Sequence, residues 1–372
     1  MLVMRAILPY LSESIVSRSL IARRWHSLLG LAPADVPSLH NEGVPRAKVN
    51  GMAWQASVVA SVLLLAPAAA PATACPPEAL GVARTIEIGT QGGLQVGLKT
   101  YPRSLALGDH EIVLTFDDGP STQTTGKILN ALSKECVKAV FFVVGRNAEA
   151  LPFLVKREVA EGHIVAHHTF SHPAETLRQM SEQAAQEEIL KGFDADDKAA
   201  YGTASGAPKV PFFRFPGFAD TPQLVAWLSA RNIAVFGADL WASDWLNMTA
   251  DTELGLVLAR LEREKRGILL LHDTKQQTAA MLPALLRELK QRGYKIVALA
   301  PGENPPPTRP APEGWTSETD RIIAEVFAKE RAAKARRSAV EGAPPAPPGS
   351  SPGGTAPAPS EPQATPPPDM RK

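Results

Sequence analysis

Seven short apolar runs, rich in β-branched and aromatic residues, alternate with segments of helical spacing through the middle of this 372-residue chain. The runs are Glu111–Phe116, Ala139–Gly145, Ile164–Phe170, Phe212–Pro216, Ile233–Asp239, Gly267–Asp273 and Tyr294–Leu299. Between them the apolar residues recur at i, i+3 and i+4 over Gly126–Lys138, Ala148–Glu161, Met180–Phe193, Thr221–Arg231, Ala250–Lys265 and Gln276–Arg292. A strand followed by a helix and another strand argues for parallel pairing, because the helix can carry the chain back along the sheet. The rhythm therefore predicts a parallel α/β architecture, one unit short of an eightfold barrel.

The ends of the chain are of a different kind. Of its 34 prolines, 17 fall from Pro301 onward, and four more (Pro67, Pro71, Pro76, Pro77) surround one apolar stretch near the N-terminus. Residues 52–74 carry no charge, and their apolar run, Val58–Ala66, is too short to span a bilayer and is followed by Pro67 and Pro71. Ala72-Thr73-Ala74 supplies a small-x-small pattern before Cys75, so 52–74 reads as a signal peptide and the mature protein as exported, periplasmic or secreted. Residues 1–51 do not fit in front of such a signal. They read either as an Arg-rich presequence or, more simply, as translation from a start assigned too far upstream. Residues 301–372 read as a Pro-rich, largely disordered tail, apart from a charged stretch of helical spacing over 317–338, because their composition offers little to bury. That leaves 75–300 as the working domain. A formal net charge of +1 gives no electrostatic basis for a nucleic-acid partner. Two cysteines, Cys75 and Cys136, permit one disulfide in an oxidising compartment.

Ionisable residues gather where the apolar runs end: Asp117-Asp118, His168 and His172, Arg214, Asp239, and His272-Asp273. In parallel α/β folds those ends open on one face, so residues far apart in sequence converge there. Two adjacent carboxylates at a strand end diverge, leaving one free for a metal and the other for protons. Histidines four apart can share a metal, and both His163/His167 and His168/His172 have that spacing. The end of the strand and the loop after it favour His168 and His172. With Asp118 they would form a two-histidine, one-carboxylate site that leaves positions open for water and substrate. An Asp-His-His set accepts a divalent cation, zinc first, with cobalt, manganese or nickel as alternatives.

In this order, TFDDGP, HTFSH, RFPGF, DLWASDW and LLLHD resemble the five motifs of the NodB-homology polysaccharide deacetylases, carbohydrate esterase family four. The likeness covers residues 111–299. It implies a distorted (β/α)7 barrel with parallel strands that removes acetyl groups from glycans with a divalent metal. It also implies roles: Asp117 as general base, Asp118, His168 and His172 as metal ligands, and Arg214 as the cation holding the base. His272 would be the general acid with Asp244 as its carboxylate partner, Asp239 remaining the alternative. Leu270 and Trp245 would line the acetyl pocket, and Gly217 would offer its N–H to the oxyanion. Two positions depart from the family pattern. Pro216 is followed by Gly217 and only then by Phe218, which changes the groove wall, and Trp241 stands where an acid is common. The expected reaction is hydrolysis of N-acetyl groups on an N-acetylglucosamine glycan, chitooligosaccharide or peptidoglycan. An O-acetyl xylan esterase, a small-amide deacylase and a catalytically silent glycan-binding protein are the alternatives on the same fold.

Overall fold

In the computed structural model, residues 75–174 and 176–341 are described. The stretches read as N-terminal extension and signal peptide, and the last part of the tail, lie outside them. The chain divides at Val326 into two units. Of the second, the described residues form only the continuation of one helix; all the strands and the other helices belong to the first.

Three strands precede the first motif: β1 (Arg84–Gly89), β2 (Leu94–Val96) and β3 (Arg103–Leu105). The barrel begins with β4 (Glu111–Asp117), followed by α1 (Thr125–Lys134), β5 (Val140–Val143), α2 (Gly145–Ala150), α3 (Pro152–Ala160) and β6 (Ile164–His167). Then come α4 (Glu182–Tyr201), β7 (Phe212–Phe213), α5 (Pro222–Ser229), β8 (Ala234–Phe236), β9 (Leu240–Trp241), α6 (Ala250–Glu264), β10 (Gly267–His272) and α7 (Gln276–Gln291). β11 (Lys295–Gly302), β12 (Thr308–Pro310) and α8 (Glu318–Glu341) complete the described residues.

The sheet has ten strands, and β4 through β8 are parallel neighbours in chain order. β10 pairs with β4 on one side and with β9 on the other, which brings the sheet round on itself. β8 takes β2, not β9, as its other neighbour, so the ring of β4 to β10 is left open there. This is the distorted (β/α)7 barrel. Its seventh strand is β9, a two-residue strand inside the DLWASDW motif, too short to register as an apolar run. The run read as the seventh strand is β11, which pairs with β1 and with the first two residues of β4.

Alternation along the strands sorts the core. Val113, Val140, Phe142, Ala166, Phe212, Ala234, Phe236 and Ile268 pack together inside the ring. Ile112, Leu114, Phe116, Phe141, Val143, Val165, Leu269 and Leu271 face outward onto α1, α3, α6 and α7. Phe213 and Val235 face outward onto α4 and α5. The helices start where sequence chemistry directs: Ser181, Thr221 and Thr249 each accept from the backbone N–H three residues on. The single helix expected over Ala148–Glu161 is two, because Pro152 has no N–H to continue α2 and instead opens α3 as its first residue.

Two regions in which no strand was expected have strands, and the stretch of helical spacing over 317–338 lies, from Glu318 on, within α8. β1 binds the barrel's extension, and Asp239 ties the β2–β3 segment to β10. Its Oδ1 accepts from Leu98 N (2.9 Å), and its Oδ2 accepts from Ser104 Oγ (2.7 Å) and Ile268 N (2.8 Å). Past Pro301, within the stretch read as tail, β12 pairs antiparallel with β3, and the start of α8 is held through Lys99–Glu318 and Arg178–Asp320 ion pairs. These anchors explain the order: backbone pairing and charge hold a segment that has few apolar groups to bury. Cys75 and Cys136 form a disulfide with Cα atoms 6.0 Å apart. No helix among the described residues is long and apolar enough to cross a membrane.

Candidate active site

The same alternation delivers the site. Thr115 and Asp117 share the inward parity of Val113 on β4, and Leu270 and His272 share that of Ile268 on β10; both strands run in one direction and are in register at Asp117 and His272. His168 and Arg214 follow the ends of β6 and β7. Asp118 lies one step beyond β4 with φ of 75°, a left-handed turn at the strand's end, and its carboxylate faces His168 and His172 while that of Asp117 faces Arg214.

Asp118, His168 and His172 each offer a ligand atom, and these atoms lie within 4.8 Å of one another. Asp118 Oδ1 is 3.6 Å from His168 Nε2 and 3.4 Å from His172 Nε2. Buried as it is, Oδ1 has no hydrogen-bond partner among the described residues. His168 Nδ1 lies 2.8 Å from the carbonyl of Arg214 and donates to it, which leaves Nε2 as the unprotonated nitrogen. Burial pushes the His168 imidazole down to about 3, so it is neutral. A nitrogen lone pair thus faces a carboxylate oxygen across a gap that no proton fills. A cation between them removes the conflict, so the donor set fits a divalent metal. Burial would raise the Asp118 carboxyl, but His172, His272 and His168 together hold it well below the usual range.

The second carboxylate is differently placed. Asp117 Oδ1 accepts from Arg214 Nη1 at 2.7 Å, and Oδ2 is 3.9 Å from His168 Nε2. Arg214 is wholly buried and every nitrogen is used. Nη1 also donates to Thr115 Oγ1 (2.9 Å), Nη2 to Gly237 O (2.8 Å) and Nε to Phe236 O (3.2 Å), with Phe142 packed on the guanidinium face at 4.1 Å. Burial raises the Asp117 carboxyl to about 6 against the pull of Arg214 and His272, within reach of proton exchange near neutrality.

Across the site, His272 Nδ1 is 2.7 Å from Asp244 Oδ1, and its backbone N–H donates to Asp244 Oδ2, also at 2.7 Å. Burial acts to lower this imidazole, yet Asp244 and Asp118 lift it to about 9, so it is a cation at neutral pH. Between Asp239 and Asp244 the geometry is decisive: Asp239 is spent on the backbone of β10 and on the β2–β3 segment, and Asp244 alone touches the histidine.

The remaining expected residues form one wall. Trp245 stands edge-on to His272 at 6.0 Å and to Trp241 at 5.8 Å, and Trp241 stacks on Phe218 at 6.2 Å. Trp241, the departure from pattern, thus continues an aromatic surface from Phe218 to the histidine. Leu270 is buried between Thr115 and Trp241 in register. Gly217 is exposed with φ of 58° at the tip of a turn, and no atom lies within 4 Å of where its Cβ would be. The other histidine pair is structural: His167 Nδ1 is 2.8 Å from Asp196 Oδ2 behind the sheet, and His163 Nδ1 accepts from Ala139 N at 3.2 Å.

Sequence reasoning missed the braces. Asp220, which closes the Gly217 turn, accepts from Tyr101 Oη (2.9 Å) and Arg178 Nη2 (3.0 Å). Thr115 supports Arg214, and Thr278 and Glu253 stand behind Asp244. Only Thr115, of inward parity in a quoted motif, carried a signal that could have found it.

A family model described as polysaccharide deacetylase matches residues 105–232. The chain is 33% identical over 193 residues to a peptidoglycan-N-acetylglucosamine deacetylase of Bacillus cereus, spanning 51% of this chain and 66% of that one. It is 35% identical over 188 residues to the corresponding enzyme PgdA of Listeria monocytogenes, of which it spans 38%. It is also 30% identical over 215 residues to a chitooligosaccharide deacetylase of Sinorhizobium fredii, spanning 54% of this chain and 95% of that protein. Among solved structures, a peptidoglycan deacetylase of Bdellovibrio bacteriovorus superposes with a TM-score of 0.52 at 30% identity, covering 59% of each chain.

Proposed function

Because the chain belongs to the polysaccharide deacetylase family, carbohydrate esterase family four, we propose that it hydrolyses N-acetyl groups on an N-acetylglucosamine glycan, releasing acetate and leaving a free amine. The observation that carries this reading is the convergence of three units at one end of the parallel strands. They are the Asp118–His168–His172 donor set, the Asp117–Arg214 pair and the His272–Asp244 pair.

The donor set suits zinc best, being two imidazole nitrogens and one carboxylate with positions left open. When bound there, a divalent cation supplies Lewis-acid polarisation of the acetyl carbonyl and lowers the pKa of an adjacent water. The chain's own groups do the rest. Asp117, held by Arg214 with one oxygen free, takes a proton from the attacking water. The Gly217 N–H, at an open turn, donates to the oxygen that gains charge as the carbonyl carbon becomes tetrahedral. His272, kept cationic by Asp244, delivers a proton to the leaving nitrogen, and the carbon–nitrogen bond breaks. Leu270 and Trp245 give the acetyl methyl an apolar seat, and the wall from Trp245 through Trp241 to Phe218 offers sugar rings a flat apolar face. The first relatives act, by name, on peptidoglycan, and a glycan of that class is the substrate we assign.

We assign 52–74 as an export signal and 75–300 as the catalytic domain. The Cys75–Cys136 disulfide supports an oxidising compartment, periplasmic or extracellular, since such bonds rarely persist in the cytosol.

The test is acetate release from peptidoglycan and from N-acetylglucosamine oligomers, by protein stripped with chelator and then reloaded with zinc, cobalt, manganese or nickel. Release that needs the metal and is lost in Asp117→Asn with metal content retained supports the reading. Unchanged turnover in Asp117→Asn overturns the role of Asp117. Release from acetylated xylan alone overturns the substrate class.

A further inference from the structure

The chain of groups behind His272 does not end at Asp244. Thr278 Oγ1, on α7, lies 2.8 Å from Asp244 Oδ2 and 2.9 Å from Glu253 Oε1, on α6. All three residues are buried, Thr278 and Glu253 completely. Both separations are hydrogen bonds, and a hydroxyl has one proton to give. Thr278 cannot donate to two carboxylates, so a second proton must sit on one of the two acids.

Asp244 is the poor host for it. Its oxygens accept from the His272 ring and backbone nitrogens at 2.7 Å each, contacts that favour the anion. Glu253 has no such support. Its Oε2 has no hydrogen-bond partner, and it forms no ion pair among the described residues. Its place in the first turn of α6 favours the anion only weakly beside the cost of burying an unpaired charge. Burial and the nearby Asp244 raise this carboxyl to about 7.

We propose that Glu253 is held as a neutral carboxylic acid that donates to Thr278 Oγ1, so that the Thr278 proton is committed to Asp244, and that Thr278 and Glu253 are positioning residues fixing the carboxylate that orients His272. The count closes without any net transfer: one proton on Glu253, one on Thr278, none on Asp244. Were Glu253 ionised, it would compete with Asp244 for the only hydroxyl proton, and Asp244 would lose its third donor. Neither residue touches substrate.

The functional consequence rests on His272 acting as the acid in the proposed deacetylation, whereas the protonation state of Glu253 does not. Two readouts therefore separate them. In infrared difference spectra at pH 6 of the full chain against Glu253→Gln, a neutral carboxylic-acid carbonyl band is lost; loss of a carboxylate band in its place overturns the proposal. In acetate release, Thr278→Val lowers kcat by about 10- to 100-fold, the range for partners one shell behind a reacting group, with KM and bound metal unchanged. Thr278→Ser restores kcat, and Glu253→Gln, whose amide still donates to Oγ1, restores most of what Glu253→Leu loses. Unchanged kcat in Thr278→Val, or equal loss in the Gln and Leu variants, overturns the relay. If the wild-type chain releases no acetate from any glycan, the deacetylase reading fails and the infrared result alone decides the state of Glu253.

Discussion

His167 and His168, consecutive in sequence, serve opposite sides of β6. His167 Nδ1 lies 2.8 Å from Asp196 Oδ2 on α4, and His168 Nε2 lies 3.6 Å from Asp118 Oδ1 at the mouth of the barrel. A strand turns neighbouring side chains to opposite faces, so one histidine packs between sheet and helix while the other reaches the site.

Alanine at each position should therefore fail differently. His168→Ala removes a donor: bound metal falls to the background of Asp118→Ala, and chelator no longer lowers the melting temperature. His167→Ala keeps metal stoichiometry but strands the buried Asp196, costing about 1–3 kcal/mol of stability. Metal analysis beside thermal melts of both variants checks this, and loss of metal in His167→Ala alone would reverse the assignment.

Arg214 should resist replacement by its nearest chemical relative. Its guanidinium spreads over Asp117, Thr115 and the carbonyls of Phe236 and Gly237, and a lysine ammonium cannot span all four. Arg214→Lys should lose about 3 kcal/mol or more, as breaking a buried pair does, together with most turnover. Denaturant melts and acetate release measure the two losses. A variant that melts like wild type would show the fork to be dispensable.

Motif residues at strand ends were legible because a parallel sheet gathers at one face the residues just past its strands. Parity along β6 was legible too, and it separates His168 from His167 more firmly than spacing does. What the chain order hides is contact between segments that no rhythm links. Glu253 and Thr278 look like ordinary helix residues until α6 and α7 bring them to Asp244. Asp239, equally acidic and in the same motif as Asp244, is drawn off by Leu98, Ser104 and Ile268, partners no local pattern announces. β2, β3 and β9 escaped for a related reason, whereas β1, six residues long with Ile86 and Ile88 buried in alternation, did carry a strand signal. Short strands owe their existence to an edge already built, and β9 has only two residues to declare itself.

Stability on the acid side should owe something to Glu111. Its carboxylate accepts from Arg84 Nε (2.9 Å) and Nη2 (2.7 Å) and from Gly108 N (2.7 Å), tying β1 to the start of β4. The Arg84 hydrogen bonds are the main cause that lowers its pKa from 4.5 to about 2. A depressed carboxyl stabilises the fold fully above its ordinary value and loses that contribution as pH falls through the folded value. Arg84 is partly exposed, so the gain is screened to about 1 kcal/mol or less. Glu111→Gln should melt below wild type at pH 7, with the gap closing between about pH 4.5 and 2. A gap that widens over that window would contradict the pairing.

The disulfide should matter to stability and leave the site alone. Cys136 lies before β5, at the end of the barrel opposite Asp118, His168 and His172, and its bond to Cys75 closes a separation of 61 residues. Restricting a loop of that length in the unfolded chain is worth about 4 kcal/mol on the chain-entropy account. Cys136→Ala, or reduction of the wild type, should therefore lower the melting temperature by on the order of 10 °C. Metal content and kcat measured well below that melt should not change, since no group of the site touches either cysteine. A fall in metal occupancy on reduction would mean that the two ends of the barrel are coupled.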